Sequence, residues 1–552
     1  MHHWDESFDV VIVGSGGGGL CAGLTVATAG KKAVVIEKMP KIGGTTAKSG
    51  GVIWVPCNRL LREAGVHDTI EDALAYMRAV AEGYNGPAAS LARQEAYVRG
   101  GIEMIDFLLD QGIELIYLDG WSDHYAGGLA RGRLVGSKVF STKNLGDWLP
   151  KLETYMTSLP ITGKEVGKLA LVKRTREGFM AGMKLALGAA WGRMTGWPRM
   201  GLGAGLQGQL LSANLRHGTS VWTECPVTDL IEENGRVAGV RVQRNGREIL
   251  VQAHDGVILN AGSFTKNQAL RERYLPHPTS AAWSLSSDGD TGDLIEPLLR
   301  LGAGMEQLGK VNWAPVSVMP DGTALLTQNS FTKPFSFIVD QQGERFCNES
   351  SAGFGMVETM YRRNATKPTI PAWMIMDSRH VNAYPFVIKP PGPISQEWID
   401  SGFFKTASTI EGLAEQCGIP PNVLRATADR FNGFARSGHD LDFHRGEWAY
   451  ERYYGDTSVH PNPSLGPVEK PPFYATRIWP GDGGMFGGVS TDEYARVVRE
   501  DGGIIPGLYA SGTTAVHVFG RDYPCSGGAV GFSLCWGYIA ARHAVSLNGP
   551  QH

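Results

Sequence analysis

The chain opens on an apolar, β-branched run, FDVVIV at 8–13, which breaks directly into Gly14-Ser15-Gly16-Gly17-Gly18-Gly19. A nearly unbroken run of this length reads as a strand buried on both faces of a parallel sheet. LCAGLTVATAG then continues as a helix of small residues that can lie close to a sheet, and AVVIE at 33–37 is a second strand ending in an acid. Strand, glycine turn, helix, strand and acid in this order are what a dinucleotide site requires. Gly14 permits the tight turn and Gly16 lets backbone approach a pyrophosphate at the helix N-terminus. Gly19 allows helix and strand to touch, and Glu37 accepts from ribose hydroxyls.

Further along, apolar positions three and four apart (Ile70, Leu74, Met77; Ile102, Ile105, Leu108) predict helices over 69–112. Residues 141–205 read as a helix-rich, glycine-interrupted insertion. Its most apolar stretch, GFMAGMKLALGAAWGRMTGWPRMGLGAGL, is interrupted by Lys184, Arg193 and Arg199, so it falls short of the 18 or so residues of a membrane span. Such a segment packs on the main domain, lies on a membrane surface, or lines the entrance for an apolar ligand. Residues 219–262 are strand-rich, with Asn-Gly pairs at 234–235 and 245–246 as hairpin signals, and VILNAG is another buried strand. Proline-rich segments at 385–393 and 461–472 mark loops.

Charge narrows the partners. Lys+Arg 52 against Asp+Glu 55 leaves −3, with no basic excess to hold a nucleic acid. Glycine is the unusual number, 73 of 552 residues against a typical usage of about 7%, which implies many tight turns and close backbone approaches. The seven cysteines are odd in number and never spaced as CxxC, so a disulfide framework or zinc ribbon is not expected. The histidines form no HxxxH or HExxH pair, so no metal site is expected, and no GxSxG elbow is present. The N-terminus lacks a basic region ahead of its first apolar run, from which a cytoplasmic protein is expected, with peripheral membrane contact through the insertion as the variant.

The segment GGTTAKSGGVIW at 43–54 resembles the second glycine segment of the FAD-dependent fumarate reductase and succinate dehydrogenase flavoprotein superfamily. FIVDQQGERFCNE at 337–349, DTGDLIEPLLRLGAG near 290–304, GLYASGTTA at 507–515 and GGAVGFSLCWGYIAARHA at 527–544 resemble its later elements. The resemblance implies an α/β fold: a Rossmann-like FAD-binding domain with a β-meander, built from residues 1–282 and 475–552, and an inserted α+β catalytic or cap domain at 283–474. It implies FAD as cofactor, contacted by Gly14, Ser15, Gly16, Gly19, Glu37 and Lys38, then by Gly43, Gly44, Thr45, Thr46, Ser49, Gly50 and Gly51. Val227 is implied beside the adenine, and Ala261, Gly262, Gly528 and Val530 along the rest of the cofactor.

VFGRDYPCSGGAVG at 518–531 resembles the GxxYPGxGxxxG segment of the 3-ketosteroid dehydrogenases within that superfamily. This implies removal of two vicinal hydrogens next to the ketone of a steroid: a base takes the α-proton while hydride leaves the β-carbon for flavin N5. Δ1-desaturation is favoured, with electrons passing to an acceptor the sequence does not identify. Tyr523 and the N–H of Gly527 are the implied donors to the developing enolate oxygen. The family's tyrosine after the RFxNE element is replaced here by Gly353, which leaves the base open. Tyr125 and His124 are the first candidates, Tyr361 and Tyr384 the weaker ones. A Δ4 or other regiochemistry, an enoate reductase using Arg521, and a non-catalytic flavin-containing binding protein stand as alternatives.

Overall fold

The computed structural model describes residues 2–125, 127–154 and 159–546. Residues 155–158, within the expected insertion, lie outside that description. The N-terminal strand Glu6–Val13 takes the centre of the larger sheet because its last four residues are apolar and fully enclosed. It pairs in parallel with Ala33–Ile36 on one side and with Arg247–Leu259 on the other. Ser220–Trp222 extends the sheet beyond Ala33–Ile36, and Ile504–Ala510 lies parallel to the far end of Arg247–Leu259. Both halves of the chain therefore build one sheet. The near end of Arg247–Leu259 instead joins an antiparallel meander through Val227–Glu233 and Arg236–Arg244. Both Asn-Gly pairs make its turns, with all four residues at positive φ, the conformation a two-residue hairpin turn needs.

Two helices pack across one another at the heart of this domain, Gly17–Thr28 and Gly528–Ser546. Their contact has no room for side chains: a Cβ on Gly18 would stand 2.3 Å from the Ser533 carbonyl, and one on Gly537 would stand 2.2 Å from the Gly18 carbonyl. The Gly18 N–H donates to Ser533 Oγ across the crossing.

The second unit is an antiparallel sheet of Val311–Val318, Ala324–Leu326, Ser336–Val339, Ala372–Met376, Phe404–Ala407 and Phe473–Met485. Alternation sorts its side chains into two cores. Ile338, Met374 and Met376 face Met356 and Met360 of the helix Gly353–Asn364, while Phe337, Val339 and Ile375 face the helices Ile410–Cys417 and Pro421–Ser437. The expected break after residue 474 falls inside Phe473–Met485, which stays paired to this sheet up to Met485. At the other border, Phe264 and Leu275 already pack in the second unit's core, so the apolar residues carry it beyond both expected limits.

The helices expected over 69–112 are Ile70–Val80 and Leu91–Asp110. The expected insertion at 141–205 forms Gly163–Leu169 and Arg176–Thr195, and its last residues open Leu202–Arg216, which packs on the main-domain helix Gly17–Thr28. Among the described residues no helix is long and apolar enough to cross a membrane, and all seven cysteines are free thiols.

Candidate active site

An elongated cavity opens at the carboxyl ends of the central strands, where Val13, Ile36 and Asn260 face it. Its near wall is Gly14, Gly16, Gly44, Thr45, Thr46 and Ser49. Glu37, Lys38, Cys225 and Val227 close one end. Ser287 and Asp290 adjoin Thr45, and Ala261, Gly262, Asn312, Gly483, Thr513, Gly527, Ala529 and Val530 line the rest. Gly14 has φ +100°, and a Cβ there would stand 2.1 Å from the Asn260 carbonyl. Only glycine lets strand and turn approach this closely.

Glu37 ties the turn together. Its Oε2 accepts from Ser15 N–H at 3.0 Å and from Ser15 Oγ at 2.6 Å, its Oε1 accepts from Met39 N–H at 2.9 Å, and Ser15 Oγ accepts from Gly43 N–H. Six of the expected cofactor residues thus shape the cavity without lining it. Ser15 and Gly43 belong to this bonded knot, and Gly19 abuts the Gly14 carbonyl. Gly50 lies against Val52, Gly51 sits against Leu202 and Gly528 against the Tyr523 ring. Conversely Asn260, Ser287, Asp290, Asp293, Gly483, Thr513 and Ser533 line the cavity unforeseen. Asp290 is the most unusual of them. Burial pushes its carboxyl up to about 7, opposed by the hydroxyl of Ser263, by Lys38 and by the hydroxyl of Thr45. The cleft fits a dinucleotide: an acid at one end, a side-chain-free approach to the N-terminus of a twelve-residue helix in the middle, and apolar and backbone groups beyond.

The loop before Gly528–Ser546 carries Tyr523 and Gly527, and Gly527 lines the cavity. Tyr523 is buried among Phe486, His517 and Phe519, with its hydroxyl 3.4 Å from His517 Nε2. Burial drives the Tyr523 phenol well above its ordinary range and holds the His517 imidazole down at about 3, so both are neutral. Gly527 has φ +81°, and its carbonyl accepts from Trp54 N–H at 3.2 Å. A Cβ on Gly527 would stand 2.7 Å from the Val52 carbonyl.

The loop with His124 and Tyr125 is bonded onto this one. His124 N–H donates to the Pro524 carbonyl, Ser526 N–H donates to His124 Nε2 at 3.1 Å, and Cys525 Sγ donates to the Ser122 carbonyl. Tyr76 bridges both loops, its hydroxyl donating to the Pro524 carbonyl and accepting from Tyr125 N–H. Beneath them Arg133 pairs with Asp68 and Asp123, while Trp54 Nε1–H donates to Asp123. His124 is therefore a brace whose Nε2 is taken, and burial holds its imidazole down at about 3, contrary to the expected base. Tyr125 is 39% exposed, with Asp522, Glu358 and Arg521 as its charged neighbours. Tyr361 and Tyr384 are turned elsewhere: their hydroxyls donate to the Pro278 carbonyl and to Asp456 Oδ2.

Comparison with known proteins agrees with this geometry. A family model described as an FAD binding domain matches residues 9–530. The chain is 37% identical to a 3-oxosteroid 1-dehydrogenase of Mycobacterium tuberculosis over 99% of its own length and 100% of that protein's. It is 33% identical to a 4-oxocyclohexanecarboxylate 2-dehydrogenase of Sinomonas cyclohexanicum, over 97% and 92%. The crystal structure of a 3-ketosteroid Δ1-dehydrogenase from Sterolibacterium denitrificans, in complex with 1,4-androstadiene-3,17-dione, superposes with a TM-score of 0.92 at 32% identity, covering 98% and 100%. With a cleft made for FAD and matches that run nearly end to end, the chain belongs to the FAD-binding flavoprotein family that includes the 3-oxosteroid 1-dehydrogenases, and it is an FAD-dependent oxidoreductase acting on CH–CH groups.

Proposed function

We propose that the chain desaturates a 3-ketosteroid between C1 and C2, next to the ring ketone. The observation that carries this reading is the single loop in which a buried, neutral tyrosine, Tyr523, stands four residues before Gly527, a positive-φ glycine that lines the cofactor cleft. Loss of an α-proton puts negative charge on the ketone oxygen. A phenol O–H and a backbone N–H stabilise that charge, each worth about 3 kcal/mol where water is excluded. FAD, when bound, supplies the two-electron acceptor for the hydrogen leaving the β-carbon. The relatives that act on 3-oxosteroids support the substrate class. An enoate reductase that protonates through arginine is disfavoured, because the Arg521 side chain is 60% exposed beside Asp522.

Anaerobic titration of the holoprotein separates the readings. Bleaching of the oxidised flavin by 1,2-saturated 3-ketosteroids in preference to simple cyclohexanones is expected. Reoxidation of chemically reduced flavin by an enoate, with no bleaching by any ketone, would replace the dehydrogenase with a reductase. Silence in both directions alongside tight steroid binding would leave a binding protein.

A second feature supports peripheral membrane contact. The helix Arg176–Thr195 buries only Gly178, Ala181 and Gly192. Phe179, Met180, Leu187 at 66%, Trp191 and Met194 at 76% exposure stand outward among exposed Lys173, Arg176, Lys184 and Arg193. Apolar residues amid basic ones fit an anionic bilayer surface. Co-sedimentation with phosphatidylcholine vesicles containing phosphatidylglycerol is expected to fall at least tenfold in the double variant Leu187→Glu, Trp191→Glu; unchanged sedimentation would remove this reading.

A further inference from the structure

Desaturation beside a ketone needs a group that takes the α-proton, and the inference below rests on the dehydrogenase reading. The candidates legible in the sequence are otherwise engaged: Tyr384 donates to Asp456, Tyr361 to a backbone carbonyl, and His124 accepts from Ser526 N–H. Tyr125 lies 39% exposed.

Tyr450, on the helix Ala449–Tyr454, is placed differently. It is buried, and its ring stands edge-on to the His124 ring with centroids 4.9 Å apart. His124 is itself bonded to Ser526, the neighbour of Gly527. The Tyr450 oxygen accepts from Gln328 Nε2 at 2.9 Å. Gln328 in turn fills the space in front of Gly353, where a Cβ would stand 2.7 Å from Gln328 Oε1. Gly353 opens the helix Gly353–Asn364, which packs on the strand Val311–Val318, and Asn312 of that strand lines the cofactor cleft. A chain without a side chain at 353 thus holds a buried phenol, oriented by an amide donor, between that position and the Tyr523–Gly527 loop.

We infer that Tyr450 is the residue that takes the α-proton, with Gln328 as its positioning residue. The α C–H bond breaks and its electron pair stays on the substrate as the enolate. The proton forms an O–H bond on the phenolate of Tyr450, which ends the step as a neutral phenol. Burial raises the Tyr450 phenol above its ordinary range, with Cys525 and Glu451 adding to the rise, while the Gln328 amide and the Tyr454 hydroxyl favour the phenolate. The other ionisable groups facing it are Tyr125, on the adjoining loop, and His124, which is neutral. Burial outweighs the donors, so the base form is scarce at neutral pH and proton abstraction gains with rising pH.

The test uses holoprotein with its flavin chemically reduced, which blocks turnover, incubated with a 1,2-saturated 3-ketosteroid in D2O. Deuterium entering the α-position is read by mass spectrometry and steroid affinity by equilibrium dialysis. Wild type is expected to exchange faster as pH rises. Tyr450→Phe is expected to exchange at least 100-fold more slowly, in line with the usual contribution of a positioned base of about 10²–10⁴, with affinity within threefold. Exchange at the wild-type rate, or a fall in exchange matched by the same fall in affinity, would overturn the assignment. Should Tyr450→Phe lose its flavin, Gln328→Leu carries the test: its exchange profile is expected to move to higher pH, and an unmoved profile overturns the assignment. A wild-type protein that exchanges no ketone overturns the dehydrogenase reading as well, whereas a fully exchanging Tyr450→Phe overturns the assignment alone.

Discussion

The two ends of the cleft are built by different means. The cofactor end is mainly backbone: Gly14, Gly16, Gly44 and Gly262 present main chain to the cavity, and Glu37 holds the turn through main-chain N–H groups and the Ser15 hydroxyl. The proposed reaction end is mainly side chain. Tyr76, His124, Gln328 and Tyr450 come from four separate segments and are joined to one another or to the Tyr523–Gly527 loop through single hydrogen bonds and a ring contact. A backbone-built site fails when a Cβ intrudes, and a side-chain-built site fails when one functional atom is removed.

The largest effect is expected where the backbone-built end has no slack. Gly18→Val pushes its side chain into the Ser533 carbonyl, 2.3 Å from the position of a Cβ, and drives apart the helices Gly17–Thr28 and Gly528–Ser546. Loss of soluble, flavin-loaded protein is expected, read by flavin absorbance after purification. Gly433→Ala is the contrast, since nothing lies within 4 Å of its would-be Cβ and it sits inside the helix Pro421–Ser437. That change is expected to leave flavin content untouched and to stabilise by up to about 1 kcal/mol.

Removing one oxygen at the reaction end gives an intermediate effect. Tyr523→Phe is expected to keep its flavin and to lower the rate of ketone-driven bleaching by about 10²–10³, the usual cost of losing one donor to a developing oxyanion. An equal loss of steroid affinity would instead make Tyr523 a general binding residue.

A pH-dependent effect concerns Asp290, a side chain at the backbone-built end. Its folded pKa of about 7 lies above the unfolded value of about 3.9, so between these pH values the folded state binds more protons and stability falls as pH rises. The change is on the order of a few kcal/mol. Melting curves of Asp290→Asn holoprotein are expected to drop less than wild type between pH 4 and 7; parallel curves would remove the effect.

The same contrast explains what was legible in the sequence. Main-chain approach forces glycine, so Gly14 and Gly16 are legible in the spacing of the first glycine turn, Gly44 and Gly262 come through the family resemblance, and both Asn-Gly hairpins follow from the positive φ their turns demand. Tyr523 and Gly527 share a contiguous motif, and the resemblance of that motif is what singles them out. Tyr450 and Gln328 left no local signal, because 122 residues separate them and nothing in either segment requires the other. The brace through His124 leaves no local signal either, because its partner, the Ser526 N–H, lies 402 residues away. The expected border at 474 lies within one strand, because Phe473–Met485 stays paired to the cap sheet along its length and no turn residue marks that point.

A single anaerobic turnover tests whether the loop of Tyr523 and Gly527 directs desaturation next to a steroid ketone. Oxidised holoprotein mixed with one equivalent of a 1,2-saturated 3-ketosteroid is predicted to bleach its flavin and yield a product two mass units lighter, with the new double bond at C1–C2. A product desaturated elsewhere, or bleaching that proceeds equally fast in Tyr523→Phe, would contradict the account.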